Sequence, residues 1–342
     1  MRHPQIVDVC DFGARLFGGS PLAYWWTGFM LLANNVLVIG FHVFTGARII
    51  QTLDDGRRCT VIWSAVFTVL GIIASLPRSL NHITAISVVS AGFMGLSILL
   101  FLIFSGIEDH PLKGYSGAWP EAGAKVYTTA FPAEGVTWVD CLNAVLNITF
   151  LWTPQILYPT FIAEMERPQD FPKALAGLSA ASFILFIMVP IVGYHYLGQY
   201  AEAPSFGSLQ TKYAKAGFAF AIIPTIVIGV IYCNVTSKFI YGRLMRSSRH
   251  AHSHTFIGWG IWVAVVAGVW IVAFVMGSVI SSMGDFLSLL GAAFDEALLD
   301  PKTWLAPLRN VATPINGAFP PSCGFYPLLP DSGIGIYSLR LH

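Results

Sequence analysis

One long apolar stretch, residues 136–162, is interrupted by residues that could bind a small polar molecule. Pro154 and Pro159 lie five positions apart inside it. Each proline removes a backbone N–H and clashes with the preceding helical turn, so a straight helix is not expected here. Inside a bilayer the freed carbonyl groups need polar partners or a cavity, and membrane transporters use such broken helices to hold their substrate. The polar side chains available at this depth belong to Asn147, Thr149, Thr153 and Gln155.

Two interpretations of these polar groups remain open on the residues alone. The stretch is either a binding site built around a broken helix, or a proline kink that packs against its neighbours. The same choice applies to Asn34 and Asn35 in the first apolar run, whose amides either line a site or bond to an adjacent helix. His42 and His195 could carry protons, although a structural histidine bonded to a backbone carbonyl is the commoner case.

Ionisable residues inside the apolar runs are isolated from one another, which argues against an enzyme. Acid–base or metal chemistry within a membrane needs clustered His, Asp, Glu or Ser, and the runs contain no HxxxH or GxSxG motif. The five cysteines are widely spaced and form no CxxC pair, so no zinc site or disulfide framework is expected. We therefore predict no catalytic residue, no metal site and no cofactor, and keep a membrane-embedded enzyme only as a remote alternative.

The overall composition indicates the class of protein that contains these runs. Of 342 residues, 55% are hydrophobic and only 11% are charged, and the mean hydropathy is +0.65. A soluble domain carries roughly 25% charged residues, which it needs to cover its surface. The net charge of +1 offers no basic face to a nucleic acid. These values exclude an ordinary soluble enzyme, a disordered chain and a nucleic-acid binder, and they predict an all-α polytopic membrane protein.

Apolar runs long enough to cross a bilayer recur along the chain. A hydrocarbon core about 30 Å thick needs about 20 helical residues. Because the runs are apolar throughout rather than alternating, they predict helices and not membrane strands. A weaker eighth run covers residues 286–299, and the seven clear runs are residues 22–50, 59–76, 83–107, 136–162, 174–200, 216–241 and 256–280.

These runs divide the chain into three parts. Residues 22–299 are predicted to form the transmembrane domain, after an N-terminal segment of residues 1–21. Residues 300–342 are rich in proline and are predicted to form a poorly ordered tail outside the membrane. Arg243, Arg246 and Arg249 lie between the sixth and seventh runs, and short loops rich in Arg and Lys are usually cytoplasmic. This places the N-terminal segment in the cytoplasm as well.

Three segments in and after the broken run form a specific pattern: NITF at 147–150, FIAEM at 161–165 and PQDFPKAL at 168–175. SLPRSL at 75–80, IPTI at 223–226 and KFIY at 238–241 support it. Together these residues resemble the fungal amino-acid/auxin permease family, and most closely the neutral amino-acid permeases of filamentous fungi. The resemblance covers roughly residues 4 to 294.

This resemblance implies the inverted-repeat fold of the amino acid–polyamine–organocation superfamily, of which this chain would hold about eight transmembrane helices. It implies proton-coupled uptake of neutral amino acids, with amino acids, protons and the lipid bilayer as partners, in a plasma or vacuolar membrane. The broken run corresponds to the family's sixth helix, and the first run to its third, which lines the site. The substrate-binding residues so implied are Asn34, Asn35, Asn147, Phe150, Leu151, Trp152, Thr153, Pro154, Gln155 and Thr225.

The chain also departs from the family pattern. On this resemblance the family's first two helices have no counterpart, and the match ends near residue 295. We therefore expect a chain that is short at both ends, with about half of the substrate site encoded. This expectation favours a second hypothesis, in which the chain is a non-transporting remnant or a mis-spliced product.

Overall fold

The computed structural model is helical, with no β-strand in the part of the chain that it describes. It describes residues 9–78, 80–107, 126–132, 135–151, 157–201, 203–245, 255–280 and 283–292. The predicted tail, residues 300–342, lies outside these ranges. So do four of the expected site residues, namely Trp152, Thr153, Pro154 and Gln155.

Ten α-helices follow one another along the described residues. Short 3-10 turns at Pro168–Asp170, Gly198–Tyr200 and Ser205–Ser208 lie among their connections. The helices are α1 (Val9–Leu16), α2 (Pro21–Leu53), α3 (Thr60–Ala74), α4 (Leu80–Ile107), α5 (Trp138–Thr149), α6 (Tyr158–Glu164), α7 (Phe171–Leu197), α8 (Thr211–Leu244), α9 (Phe256–Val279) and α10 (Met283–Leu290).

Five of these helices are long and apolar enough to cross a membrane: α2, α4, α7, α8 and α9. They make the chain an all-α polytopic membrane protein, as its composition predicts. The remaining three expected spans are shorter in the described residues. α3 is apolar but has 15 residues, the fourth run is divided between α5 and α6, and α10 has eight residues.

Four helices form the centre of the structure. α2, α3, α8 and α9 all contact one another, so that each of the six possible pairs is packed. The largest fully buried side chains, Trp262 and Trp270, project from α9 into this group, and Phe67 joins them from α3. The indole N–H of Trp270 donates to the hydroxyl of Ser75, and that of Trp262 donates to the carbonyl of Leu76. Both aromatic anchors therefore have their polar atom satisfied, as burial requires.

α2 and α9 approach so closely that their backbones touch. A Cβ atom on Gly277 of α9 would lie 2.5 Å from the carbonyl oxygen of Gly40 on α2. A Cβ atom on Gly40 would lie 2.9 Å from the carbonyl oxygen of Ala273. Small residues at helix crossings are the usual way in which membrane helices gain close packing, because hydrocarbon tails offer no hydrophobic driving force between helices.

The other two long helices, α4 and α7, lie outside this group. α4 packs against both α8 and α7, while α5 packs mainly against α10. α7 shows exposed apolar side chains along its length, including Phe183, Ile184 and Ile191, each more than 60% exposed. In a protein of this composition such faces are suited to contact lipid.

Arg78, which follows α3, fastens one end of the central group. Its guanidinium donates to the carbonyl of Gly258 at 2.7 Å. It also lies 4.7 Å from the ring centre of Tyr241, 5.2 Å from that of Trp259 and 5.6 Å from that of Trp262. Arg78 therefore joins the end of α8 to the start of α9 by cation–π contacts. We call the end of the central group that contains these residues the Arg78 end.

An ion pair fastens the opposite end. The Oδ1 atom of Asp55, in the turn between α2 and α3, lies 2.5 Å from the Nζ atom of Lys215, the fifth residue of α8. The hydrogen bond from Lys215 holds the pKa of the Asp55 carboxyl below its ordinary value of 3.8, and the positive charges of Lys215 and Arg57 act in the same direction. Asp55 has a φ of 56°, beside Gly56 at 70°, so the turn is a tight left-handed one.

The close contact of α2 and α9 predicts that Gly277→Ala destabilises the protein. The added methyl group would meet backbone, which cannot rotate away, so we expect a loss of about 1–3 kcal/mol. Gly268→Ala is the matched control on α9, because no atom lies within 4 Å of its Cβ position. Alanine is the better helix former there, so thermal unfolding in detergent should occur at the same temperature or slightly higher. Equal melting temperatures for the two variants would contradict the contact.

The Asp55–Lys215 pair predicts a stability difference that depends on pH. Because the pKa of Asp55 is lowered in the folded state, its contribution is present above the unfolded value and is lost as the pH falls through the folded value. Asp55→Asn should therefore melt below the wild type at about pH 6, and the difference should shrink as the pH falls below 3.8. Glu166→Gln, which removes an exposed carboxylate, serves as the control. A difference that persists unchanged in acid would refute the role of this ion pair.

Candidate functional site

The fourth apolar run is divided into two helices. α5 ends at Thr149, and α6 begins at Tyr158. Phe150 begins a tighter turn after α5, and residues 152–156 lie outside the described ranges. Pro159 occupies the second position of α6, where its missing N–H leaves no hydrogen bond unmade. The run is therefore not one straight helix, as the spacing of its prolines predicts.

The start of α5 is fixed by its own sequence. Thr137 and Asp140 form a capping box, in which the Thr137 hydroxyl accepts from the Asp140 N–H and the Asp140 carboxylate accepts from the Thr137 N–H. Such a cap satisfies two backbone donors that the first helical turn leaves free. α5 is thus a well-defined half-helix that ends inside the apolar run.

Three aromatic rings from three elements meet beside the end of α5. The ring of Phe41 on α2 lies 5.9 Å from that of Phe150 and 5.8 Å from that of Phe286 on α10. Both pairs are edge to face, a geometry that contributes about 0.5–1.5 kcal/mol per pair beyond burial. We call Phe41, Phe150 and Phe286 the Phe41 cluster. It connects the end of the half-helix to the central group.

α10 supports α5 from the other side. The Ser288 hydroxyl donates to the Oδ1 atom of Asn147 at 3.3 Å. A Cβ atom on Gly291, directly after α10, would lie 2.8 Å from the carbonyl oxygen of Leu146. The two short helices therefore meet along their backbones, and one of the expected site amides is held in place by the contact.

Asn34 and Asn35 on α2 are fully buried. Among the residues that the structure describes, neither amide has a hydrogen-bond partner for its oxygen or its nitrogen. Asn34 precedes Phe41 by seven residues, which is two helical turns, so it lies on the face of α2 that meets the end of α5. An unsatisfied buried amide costs about 1–3 kcal/mol, so such a pair points to a ligand or to water as the missing partner.

Asn35 lies on a different face of α2, the one that packs against α8. Three contacts set the antiparallel register of the two helices: Tyr24 with Arg243, Gly28 with Phe239, and His42 with Gly229. On this register Asn35 lies opposite the turn that carries Tyr232 and Thr236, and His42 lies opposite Thr225 and Gly229. We call Asn35, His42, Thr225, Tyr232 and Thr236 the α2–α8 seam.

The structure thus brings some of the expected site residues together and separates others. Asn147 and Phe150 lie beside α2 and α10, on the side to which Asn34 also faces. Leu151 is 42% exposed. Thr225 lies on the seam, where its hydroxyl donates to the carbonyl of Ala221 at 2.7 Å. The part that each residue plays in binding stays a prediction.

Sequence reasoning missed Phe41, Phe286 and Ser288. Phe41 carried a signal, because it repeats the position of Asn34 two turns further along the helix. Phe286 opens the weak eighth run, which suggested a membrane span but gave no reason to place it beside α5. Ser288 carried no signal of its own.

Comparison with known proteins shows the family of this chain. A family model described as transmembrane amino acid transporter protein matches residues 3–295. The chain belongs to this family. The resemblance read from the motifs is therefore confirmed, and the family consists of transporters rather than enzymes.

Three relatives are transport proteins of filamentous fungi. The N amino acid transport system protein of Neurospora crassa is 23% identical over 296 residues, which are 86% of this chain and 61% of that protein. Proteins named transmembrane transporter from Gibberella moniliformis and Fusarium pseudograminearum are each 24% identical over 293 residues. These stretches are 85% of this chain and 60% and 59% of those proteins, so the chain spans about three fifths of the relatives' length. No solved structure is significantly similar to the chain.

The Phe41 cluster predicts that Phe41→Leu loosens the end of α5 and the second half of α10. Loss of two aromatic contacts removes roughly 1–3 kcal/mol of local stability, enough to raise amide hydrogen exchange there about tenfold. Phe44→Leu is the control, since Phe44 is also buried on α2 but lies outside the cluster. Hydrogen–deuterium exchange of residues 146–150 and 286–290 should respond to the first change and not to the second. An equal response to both would show that the cluster does not hold these ends.

Proposed function

We propose that the chain forms the substrate-binding part of a proton-coupled transporter for neutral amino acids. The observation that carries the proposal is the end of α5 inside the apolar run, on the side of α2 to which the buried, unpartnered amide of Asn34 faces, in a chain of an amino acid transporter family. Family membership supports the amino acid as the substrate class. The resemblance to neutral amino-acid permeases supports proton coupling and a preference for neutral side chains.

The chemistry of the site fits a zwitterion with an apolar side chain. The last carbonyl groups of α5 can accept hydrogen bonds from a substrate ammonium group, because a helix leaves them without internal partners. The amides of Asn34 and Asn147 can donate to a substrate carboxylate. The Phe41 cluster offers an apolar wall for a neutral side chain. No cationic side chain belongs to this set of residues, which disfavours acidic substrates.

The Arg78 end is proposed to face the cytoplasm. Arg78 and Arg243 lie there, and the loop after α8 also contains Arg246 and Arg249. An excess of basic residues in short loops marks the cytoplasmic side of a membrane protein. A plasma or vacuolar membrane of a fungal cell is the proposed location.

Uptake into proteoliposomes tests the proposal. The 342-residue chain is reconstituted alone, and in parallel as a fusion with the parts of the Neurospora relative that lie outside the matched stretch. We expect accumulation of radiolabelled alanine, leucine or phenylalanine when the outside is acidic, and loss of accumulation when a protonophore is added. Labelled glutamate and arginine should accumulate poorly.

A matched pair of variants ties uptake to the site. Asn147→Leu removes the amide that Ser288 holds beside the end of α5, and uptake should fall about tenfold or more. Asn143→Leu makes the same change one turn earlier on α5 and should have a much smaller effect. Uptake that ignores the pH gradient would refute proton coupling. Absence of uptake from both the chain and the fusion would refute transport and favour a non-transporting remnant.

A further inference from the structure

We propose that the α2–α8 seam is the proton path of this transporter and that His42 is the group that carries the proton. The inference rests on the proposed proton coupling and names the part of the molecule that performs it. Its basis is the position of His42 between α2 and α8, the unpartnered polar atoms of Asn35 and Thr236 on the same seam, and the end of α5 beside α2.

One ring nitrogen of His42 forms a hydrogen bond to the backbone, and the other forms none with the described residues. Its Nδ1 atom lies 2.8 Å from the carbonyl oxygen of Val38. A carbonyl can only accept, so Nδ1 carries the hydrogen and donates it, and Nε2 is the basic nitrogen of the neutral ring. No described residue forms a hydrogen bond with Nε2. A proton taken up by His42 therefore binds at Nε2, without breaking the bond that orients the ring.

The surroundings of His42 contain few other groups that could take this role. α3 and α9, which both pack against α2, carry no acidic or basic side chain along their length. The titratable groups on α8 near this level are Tyr232 and Cys233. Asp285 lies on α10, and Arg48 lies six residues beyond His42 on α2 itself. His42 is the group among these whose ordinary pKa lies closest to neutrality.

His42 is also next to the candidate substrate site. It follows Phe41, whose ring contacts Phe150 at the end of α5. Gly229 faces it from α8, where an added Cβ would lie 3.7 Å from the Cβ atom of His42 and 3.0 Å from the Trp270 ring, so α2 and α8 are in close contact beside His42. A change of charge at His42 therefore acts next to Phe41, which contacts the end of α5. Coupling between a proton and a substrate requires such an interaction between their two sites.

Between His42 and the Arg78 end, the seam contains buried polar groups that lack hydrogen-bond partners among the described residues. Asn35 precedes His42 by seven residues and so lies on the same face of α2, about 10 Å nearer to the Arg78 end. Asn35 and Thr236 are fully buried, and neither the Asn35 amide nor the Thr236 hydroxyl has a partner among the described residues. Buried polar atoms of this kind are commonly satisfied by ordered water. Water held there would receive the proton from Nε2 and pass it towards the Arg78 end, which leaves His42 neutral again.

The test separates proton movement from substrate movement in the reconstituted chain, or in the fusion if only that form transports. Accumulation driven by a pH gradient requires net proton transfer, whereas exchange of labelled for unlabelled amino acid at equal pH does not. His42→Gln should lower gradient-driven accumulation about tenfold, keep exchange within about twofold, and flatten the dependence of uptake on external pH. His195→Gln, at the exposed end of α7, should leave all three measurements unchanged.

Thr236→Val gives an independent readout, because valine keeps the shape of threonine and removes only the hydroxyl. It should slow gradient-driven accumulation several-fold and leave exchange intact. Two results would overturn the inference: a His42→Gln variant that keeps the wild-type pH profile, or one that loses exchange together with accumulation. If His42→Gln does not fold, a wild-type rate of gradient-driven accumulation in Thr236→Val overturns it. Wild-type uptake that does not respond to a pH gradient would instead refute the proposed proton coupling itself.

Discussion

A bilayer offers no hydrogen bonds to peptide groups, so every interruption of a membrane helix must be supported from within the protein. This constraint acts on the fourth run, where α5 ends at Thr149 and α6 begins at Tyr158. Its support comes from two directions. α2 supplies the Phe41 ring and the face that carries Asn34, and α10 supplies Ser288, Phe286 and a close backbone approach at Gly291. The long unbroken helices around α2 are what allow one short helix to end inside the apolar layer.

α2 has two different functional faces because of the helical repeat alone. Asn34 and Asn35 are adjacent in sequence, yet one faces the end of α5 and the other faces α8. The same separation repeats two turns later, where Phe41 contacts Phe150 and His42 faces Gly229. A single rigid helix thereby connects the proposed substrate site with the proposed proton path. Neighbouring side chains on it are separated by about 100° around the axis, which follows from 3.6 residues per turn.

The long apolar runs predicted the long helices closely, because spanning length and hydropathy are local properties of the sequence. The first run, 22–50, became Pro21–Leu53, and the seventh, 256–280, became Phe256–Val279. The break in the fourth run could be predicted because proline acts on its own turn. The Phe41 cluster could not, since it depends on which helices become neighbours. The second run ended early for a similar reason: Ser75 and Leu76 leave the helix, and they accept hydrogen bonds from Trp270 and Trp262 of α9.

The backbone contact between Gly40 and Gly277 has a consequence for movement. Where their main chains touch at this crossing, the two helices have no side-chain layer that can deform, which opposes small sliding movements between them. We therefore expect α2 and α9 to move together. α3 and α8 should move with them, because each packs against both α2 and α9. If the substrate site opens to the two sides of the membrane in turn, the movement must occur at the boundaries of this group of four helices. These boundaries are with α4 and α7 and with α5 and α10.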